Sequence, residues 1–350
     1  MSTRHRLAFL DAVRGIALIL MVLNHTARDW MDGTMRWGRY YLIYGTLLFP
    51  APLFLFLAGF CLPITHAPSA LAFLRRGAVI VAAGYLLNVL LTPEQPWTNG
   101  GVLQTIGLAV MLLGPLVPSL HRRGVRAALV TSAVILYAGY VMARPSLMRW
   151  AAEWPRLSHA FFNDFPPWPW LGAAIVGLVL GSVWMDARAT GAEVEDRFFR
   201  RAAMAGVACA LGYLAWEWWK PTTPRFGFPR DWSLNNHWTP RGVTLLLIAA
   251  GVAMLLAAAF WLMERRHREA PWLVTLGQTA LMLYFIHQLI ELTLVNKWLG
   301  IRFNAWPRYW AANAVFLVLL VGLGRAWRAV KARRAATGNP VTGVPRSGEV

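Results

Sequence analysis

Long apolar runs, each about 20 residues and nearly free of charge, recur from one end of the chain to the other. A helix of about 20 such residues is long enough to cross the hydrocarbon core of a bilayer. The pattern therefore predicts an all-α integral membrane protein with about ten transmembrane helices. The predicted spans are 8–27, 41–64, 75–92, 101–119, 125–143, 168–187, 199–218, 241–263, 272–293 and 306–327.

The first of these runs has the basic start and apolar middle of a secretory signal peptide. Asp11 and Arg14 interrupt it, no convincing small-residue cleavage site follows, and nine more spans come after it. We therefore expect it to be retained as the first helix.

Composition agrees with the membrane class, since 57% of the 350 residues are hydrophobic and only 14% are charged. The net charge of +18 would also suit a nucleic-acid-binding protein. The basic residues are, however, scattered over short loops between spans, where topology and anionic lipid headgroups account for them, so no nucleic-acid partner is expected. Both cysteines, Cys61 and Cys209, fall inside spans, which argues against a disulfide or a cysteine-based metal site.

Orientation follows from the short loops, because Lys and Arg accumulate on the cytoplasmic side of a membrane. They are more frequent on the side of the two termini, as in "RRHR" at 265–268. We expect both termini to be cytoplasmic, one membrane domain over 1–335, and a disordered cytoplasmic tail over 336–350, which is polar and rich in Gly and Pro. Two longer outer loops are predicted at about 144–167 and 219–240.

Tryptophan is concentrated on the outer side in this topology, where most of the 19 Trp residues lie. An interfacial aromatic belt would populate both sides of the bilayer. A one-sided excess favours a flat aromatic surface for sugar rings, with an ordinary belt plus loop packing as the open alternative.

The first span carries ionisable residues on one stripe. Arg14 and His25 are eleven residues apart, so they face nearly the same direction at a rise of about 16 Å. Arg14 lies deep enough to be more than a snorkelling anchor, and a buried guanidinium facing the cytosol is well suited to a phosphate or another anionic group. Asp11 lies one turn before it. His25 could act as a general base near neutral pH. The alternatives are a structural Asp11–Arg14 ion pair and a satisfied interfacial histidine.

A second polar group lies in the ninth span, "LGQTALMLYFIHQLIEL". Tyr284, His287, Gln288 and Glu291 follow i, i+3, i+4, i+7 spacing and so share one helix face. The topology puts His287 and Glu291 in the outer half of the membrane, level with His25.

Gln104, in "GGVLQTIGL" of the fourth span, is expected at a similar height. Ionisable residues within a membrane usually face a cavity or each other, so convergence of these groups predicts a site. The sequence contains no zinc-binding motif and no serine nucleophile motif, and we expect no metal. Proton transfer through histidine would have to carry the chemistry.

Several of these segments occur in an order that resembles a known group of proteins. They are "LDAVRGIALILMVLNH", "FLFLAGF", "GVLQTIGL", "FPPWPWLGAAIVGLVLG" and "LGQTALMLYFIHQLI". Over residues 6–327 the chain resembles the transmembrane acyltransferase superfamily, most closely bacterial relatives of heparan-alpha-glucosaminide N-acetyltransferase. The acyltransferase-3 family looks like a more distant relative.

This resemblance implies transfer of an acyl group, usually acetyl, from cytosolic acyl-CoA to a glycan or glycolipid outside the membrane. It implies acyl-CoA as a donor substrate, no bound cofactor, and a place in the bacterial inner membrane. Acyltransferase-3 enzymes use an Arg and a His eleven residues apart, which Arg14 and His25 match. Animal lysosomal members instead carry Asn at the position of His25 and a catalytic His further on. The corresponding "RDWMDGTMRWGR" here has no histidine.

The resulting hypothesis has His25 and Arg14 as catalytic residues, with His25 either a base or an acyl carrier. The substrate-binding candidates are Asp11, Gln104, Tyr284, His287 and Glu291. The alternative is a transporter or proton-coupled permease, whose relays also use intramembrane Arg, His and Glu. Such a protein would show inverted repeats with broken helices at matching positions, and the "FPAP" break at 49–52 has no clear counterpart. The acceptor and the oligomeric state, including a homo-oligomer, stay open.

Overall fold

A computed structural model describes residues 7–32, 49–65, 69–91, 96–162, 165–219 and 242–336. These residues are almost entirely helical, and their one β-type pairing is an isolated bridge between Met31 and Phe303. The helices are α1 (Ala8–Asp29), α2 (Pro50–Cys61), α3 (Ala70–Leu91), α4 (Val102–Leu113), α5 (Arg123–Glu153), α6 (Pro155–Phe162), α7 (Pro167–Thr190), α8 (Ala192–Trp219), α9 (Gly242–Phe260), α10 (Pro271–Gln278), α11 (Ala280–Gln288) and α12 (Trp306–Ala336). A 3₁₀ segment, Gly114–Ser119, extends α4, and π-helical segments extend α9 (Trp261–Arg265) and α11 (Leu289–Trp298).

Among the described residues, seven helices are long and apolar enough to cross a membrane, or eight if α10 and the extended α11 count as one bent span. The chain is thus a multi-pass helical membrane protein, as predicted, but the count of ten is not confirmed. The second predicted span appears as the 12-residue α2, and its beginning lies outside the described residues. The seventh corresponds to α8, which is 28 residues long but begins in the charged segment 193–201.

The ninth predicted span is not one straight helix. It is bent by 80° at Thr279, between α10 and α11. The side chains of Thr275 and Thr279 donate hydrogen bonds to backbone carbonyls four residues earlier, which is a known cause of bending.

The prediction of an outer loop over 144–167 was wrong for most of its length. Helix α5 continues to Glu153, because residues 146–153 include good helix formers such as Leu, Met, Arg and Ala. Helix α6 then begins at Pro155, a position where proline is favoured. Most of the second predicted loop and nearly all of the predicted disordered tail lie outside the described residues.

Helix α1 is at the centre of the described bundle. Its amino-terminal half, with Phe9 and Val13, packs into an aromatic core that includes Phe60, Trp184 and Phe260. Its carboxyl-terminal half belongs to a second core, formed largely with α10, α11 and α12. Residues at both ends of α1 are therefore held in fixed positions by packing.

Glycines bring α1 and α10 into close contact. A Cβ at Gly15 would overlap the carbonyl of Leu273, and a Cβ at Gly277 would overlap the carbonyl of Asp11. Small residues permit this kind of backbone approach between membrane helices. The crossing aligns α10 along α1, and the bend at Thr279 then directs α11 towards the other end of α1.

The carboxyl-terminal end of α1 is also tied to the segments that flank α12. The Phe303 amide donates to the Trp30 carbonyl (2.6 Å), and the Asp32 amide donates to the Phe303 carbonyl (3.0 Å). The Trp30 indole donates to the backbone carbonyl of Glu291 (3.2 Å). These bonds fix the end of α1 that carries His25 against the helix that carries Glu291.

Candidate active site

The centre of the candidate site is a pair of histidines from α1 and α11. Nδ1 of His25 lies 3.1 Å from Nε2 of His287, and the rings stack at 21° with their centroids 5.2 Å apart. His287 is completely buried, whereas the His25 side chain is 14% exposed. His25 is therefore the member of the pair that a substrate can reach.

The backbone of α11 determines which nitrogen of each ring carries hydrogen. Nδ1 of His287 lies 3.0 Å from the carbonyl oxygen of Leu283, and a carbonyl can only accept a hydrogen bond. His287 must therefore be protonated on Nδ1, which leaves Nε2 as an acceptor in the neutral ring. Nδ1 of His25 is then the donor between the two rings. A neutral His25 consequently has its lone pair on Nε2.

Glu291 adds a buried carboxylate to the pair. It lies one turn beyond His287, and its Oε2 is 3.9 Å from Nδ1 of His25. Glu291 is fully buried, and neither carboxylate oxygen accepts a hydrogen bond from the part of the chain that the structure describes. Asp29, which pairs with Arg28 at 2.8 Å, is a second carboxylate close by. A charge at Glu291 would thus be stabilised mainly by a proton or cation near the histidines.

Three polar residues that the sequence did not indicate, Thr26, Tyr309 and Asn313, form a buried network next to His25. The Thr26 hydroxyl donates to Oδ1 of Asn313 (2.7 Å) and lies 3.2 Å from the Tyr309 hydroxyl. This buried network joins α1 to α12 directly beside His25. Tyr309 and Asn313 are polar residues four apart at the start of an apolar helix, a signal that could have indicated them.

The predicted partner Tyr284 lies beside the histidines, and its ring meets that of His287 edge-on at 5.4 Å. Gln104 lies in another polar group, where its amide donates to the Asn99 carbonyl (3.2 Å) and packs against Gly84. The structure therefore brings together His287, Glu291 and Tyr284 around His25, but the described contacts of Gln104 are elsewhere.

Arg14 and Asp11 form a separate group near the amino-terminal end of α1. Nη1 of Arg14 lies 3.0 Å from Oδ1 of Asp11, and the Gln278 amide donates to the other oxygen (3.1 Å). Asp11 is buried, with 3% of its side chain exposed, but 32% of the Arg14 side chain is exposed. The guanidinium is thus held by Asp11 with the Cys61 thiol close by, while part of the Arg14 side chain stays exposed.

A cavity of about 640 Å³ lies between α2, α5, α7, α8 and α9. Its lining includes Phe56, Val134, Trp170 and Leu256, and it contains none of the predicted site residues. So apolar a surface offers few groups that could orient a sugar or the phosphates of acyl-CoA.

By these features the chain is a multi-pass helical membrane protein with a histidine pair, one member buried and one partly exposed, at one end of the first described helix and an arginine near its other end. A model of the family described as heparan-alpha-glucosaminide N-acetyltransferase, catalytic, matches residues 6–217, more than half of the chain, and the chain belongs to that family. No curated protein matches it. The family points to an acetyltransferase, which confirms the predicted relationship at this level. Likeness to acyltransferase-3 and a bacterial origin stay predictions.

The matched residues cover only part of the site. Arg14 and His25 lie within 6–217, whereas His287 and Glu291 lie beyond it. The geometry of α11 therefore carries information about the site that the family match does not.

Proposed function

We propose that this protein transfers an acyl group, in the first place acetyl, from cytosolic acyl-CoA to a cell-envelope carbohydrate on the outer side of the bacterial inner membrane. Membership of an acetyltransferase family supports the reaction class. The observation that carries the proposal is the His25–His287 contact at one end of α1, with the partly exposed Arg14 near the other end. Both termini are cytoplasmic in this proposal.

Arg14 is proposed to act on the donor side. A guanidinium makes strong charge-assisted hydrogen bonds to phosphate, and that of Arg14 is oriented by Asp11. It would bind or guide acyl-CoA, which arrives as a substrate, so that the thioester reaches towards His25. Eleven residues of helix separate the two side chains by about 16 Å, a distance that the extended arm of CoA would bridge.

His25 is proposed to act as the base. Its Nε2 accepts the proton of the acceptor hydroxyl or amine, while that oxygen or nitrogen forms a bond to the thioester carbonyl carbon. The carbon–sulfur bond then breaks, and the CoA thiolate takes up the proton from the His25 imidazolium, which returns His25 to its neutral form. The imidazolium formed at His25 is stabilised because Nδ1–H donates to His287 and because the Glu291 carboxylate is 3.9 Å away.

A second route uses the same nitrogen as the nucleophile. Nε2 of His25 would attack the thioester first, release CoA, and pass the acyl group from an acyl-imidazole to the acceptor. The two routes differ in whether the protein holds the acyl group when no acceptor is present.

Aromatic side chains are proposed to bind the acceptor. Trp154, at the end of α5, is 57% exposed, and the predicted Trp-rich segment 219–240 lies mostly outside the described residues. Flat aromatic faces of this kind suit sugar rings.

The experiment is to reconstitute the protein in vesicles, supply radiolabelled acetyl-CoA on one side and a panel of glycans on the other, and identify labelled products. Reporter fusions at 120–124 and 265–269 should report cytoplasmic, and fusions within 150–160 should report outside. Uptake of a solute without any acyl transfer, or the inverse topology, would contradict the proposal.

A further inference from the structure

We propose that His25, His287 and Glu291 form a binding site for a divalent transition metal ion of the Zn²⁺ type, and that metal bound there switches acyl transfer off. The inhibitory part rests on the proposed function, whereas the metal site itself does not. The three side chains come from two helices far apart in sequence, which is why no sequence motif indicated them.

The donor atoms are already close to the spacing that a metal requires. With bonds of 2.0–2.1 Å to imidazole nitrogen, two ligands on one Zn²⁺ lie roughly 3.0–3.4 Å apart. Nδ1 of His25 and Nε2 of His287 are 3.1 Å apart, and Oε2 of Glu291 is 3.9 Å from Nδ1 of His25. All three donor atoms lie within 4.8 Å of one another. The Glu291 carboxylate would have to move closer to both rings to complete the set.

The surroundings already orient the ligands. Metal-binding histidines usually donate their other N–H to a carbonyl or carboxylate, which fixes the ring. Nδ1 of His287 makes such a bond to the Leu283 carbonyl (3.0 Å), so Nε2 of the neutral ring carries the lone pair that a metal would take in place of the hydrogen bond from His25. The backbone of Glu291 is held by the Trp30 indole.

Charge gives an independent reason. Glu291 is fully buried, and within the described residues neither of its oxygens accepts a hydrogen bond. A buried carboxyl group of this kind, here with the second carboxylate Asp29 close by, is neutralised by a proton, paired with a cationic group or bound to a metal. Two imidazoles with one carboxylate favour Zn²⁺ and neighbouring first-row ions over Mg²⁺ or Ca²⁺, which prefer all-oxygen sites. The partial exposure of His25 provides the route of entry.

Metal binding and base catalysis exclude each other at His25. The metal takes the lone pair of Nδ1, so a neutral His25 must then carry its hydrogen on Nε2. The nitrogen that should accept the proton of the acceptor has lost its lone pair. Zn²⁺ is therefore expected to inhibit transfer reversibly, and a chelator should restore it.

The test uses the full-length protein, purified in detergent, freed of any affinity tag and stripped with EDTA. Co²⁺ titration should give the visible absorption of a four- or five-coordinate ion, and Zn²⁺ should displace it at one ion per chain. Glu291→Gln keeps the shape but removes the charge, and should weaken binding at least tenfold, by analogy with losses seen for groups that merely support a ligand. His287→Gln should weaken it further.

His121→Ala removes an exposed histidine outside the site and is the matched control, which should bind Co²⁺ normally. Circular dichroism and gel filtration show whether each variant is folded. Absence of the Co²⁺ spectrum in the wild type, or equal affinity in the wild type and in both folded site variants, would overturn the metal site.

The inhibitory part has its own readout. Acetyl transfer should fall with Zn²⁺ over the concentration range in which Zn²⁺ displaces Co²⁺, and should recover with EDTA. Full activity of the Zn²⁺-loaded protein, or loss of activity on stripping, would overturn the inhibition. A Co²⁺ spectrum in a protein that transfers no acyl group would support the metal site while counting against the proposed function. Acyl transfer that depends on His25, in a protein that binds no metal, would support the proposed function while counting against the metal site.

Discussion

The buried carboxylates at the two ends of α1 differ in the partners that surround them. Near the amino-terminal end, the carboxylate of Asp11 is paired with Arg14 and hydrogen-bonded by Gln278. Near the other end, the carboxylate of Glu291 has no hydrogen-bond donor among the described residues, and its nearest basic group is His25 at 3.9 Å. The ion pair and the hydrogen bond explain why a carboxylate can be buried at Asp11. No such contacts in the described part of the chain explain the burial of Glu291, which makes Glu291 the stronger candidate for a chemical role.

Energetics support this distinction. An unsatisfied buried polar group costs about 1–3 kcal/mol, and more when it is charged. Ionisable residues in a membrane segment are rare and usually functional. The free-energy cost of burying the Glu291 carboxylate is most simply explained if a proton or a cation offsets that cost during function.

The largest effect is expected at His25. Removing a positioned general base costs about 10² to 10⁴ in rate, so His25→Ala should fold and bind acyl-CoA but turn over near background. The measurement is the rate of acetyl transfer, with His121→Ala as the control.

Labelling separates the two roles of His25. If it carries the acyl group, the wild type incubated with radiolabelled acetyl-CoA but no acceptor should retain label, and His25→Ala should not. Near-normal turnover in His25→Ala would remove His25 from the centre of the mechanism and make His287 the next candidate.

The next largest effect should be on the use of acyl-CoA, after a substitution of Arg14 near the other end of α1. Arg14→Lys keeps the charge but loses the planar guanidinium. Loss of hydrogen bonds to a charged group costs about 1.5–3 kcal/mol, so kcat/KM for acyl-CoA should fall roughly tenfold to a hundredfold. Arg122→Lys, at an exposed position, is the control. An unchanged dependence on acyl-CoA in Arg14→Lys would reduce Arg14 to a structural role.

How far the sequence predicted this site depended on the kind of pattern involved. Periodicity placed Arg14 and His25 on one helix, and His287 and Glu291 on one face of another, because 3.6-residue spacing is local information. The meeting of the two helices depends on the Gly15 and Gly277 crossing and on the bend at Thr279, which no local pattern shows.

The same limit explains the misses. Thr26 reads as an ordinary polar residue near a helix end until α12 brings Asn313 within 2.7 Å of it. Gln104 was expected near His25 on height alone, but height does not fix which face of a bundle a side chain occupies. The all-helical membrane class follows from composition and apolar runs, whereas the number of spans depends on bends and on charged helix ends such as that of α8.

A smaller effect, on stability, should come from a substitution at the crossing of α1 and α10, which positions α10 and α11 against α1. Gly277→Ala puts a methyl group into the backbone of α1 at Asp11. Overpacking of this kind costs typically about 1–3 kcal/mol, so thermal unfolding in detergent should shift to a lower temperature. Gly124→Ala, where the structure has nothing within 4 Å of the added carbon, is the control. An equal shift in both variants would show that the crossing is not as tight as described.

The smallest effect is expected for a change at Glu291, and the matching change at Asp11 is the comparison. Asp11→Asn weakens the partner of Arg14, so it should destabilise the protein by about 1–3 kcal/mol. Glu291→Gln replaces a buried carboxyl group whose oxygens accept no hydrogen bond from the described residues. In metal-free protein this change should be neutral or stabilising by up to about 1 kcal/mol, because a neutral amide is cheaper to bury than a carboxylate without hydrogen bonds. Added Zn²⁺ should raise the melting temperature of the wild type more than that of Glu291→Gln, since a ligand bound only by the folded state stabilises it in proportion to its affinity. If Glu291→Gln destabilises the metal-free protein as much as Asp11→Asn does, Glu291 is a satisfied structural group, and the contrast between the two ends of α1 is wrong.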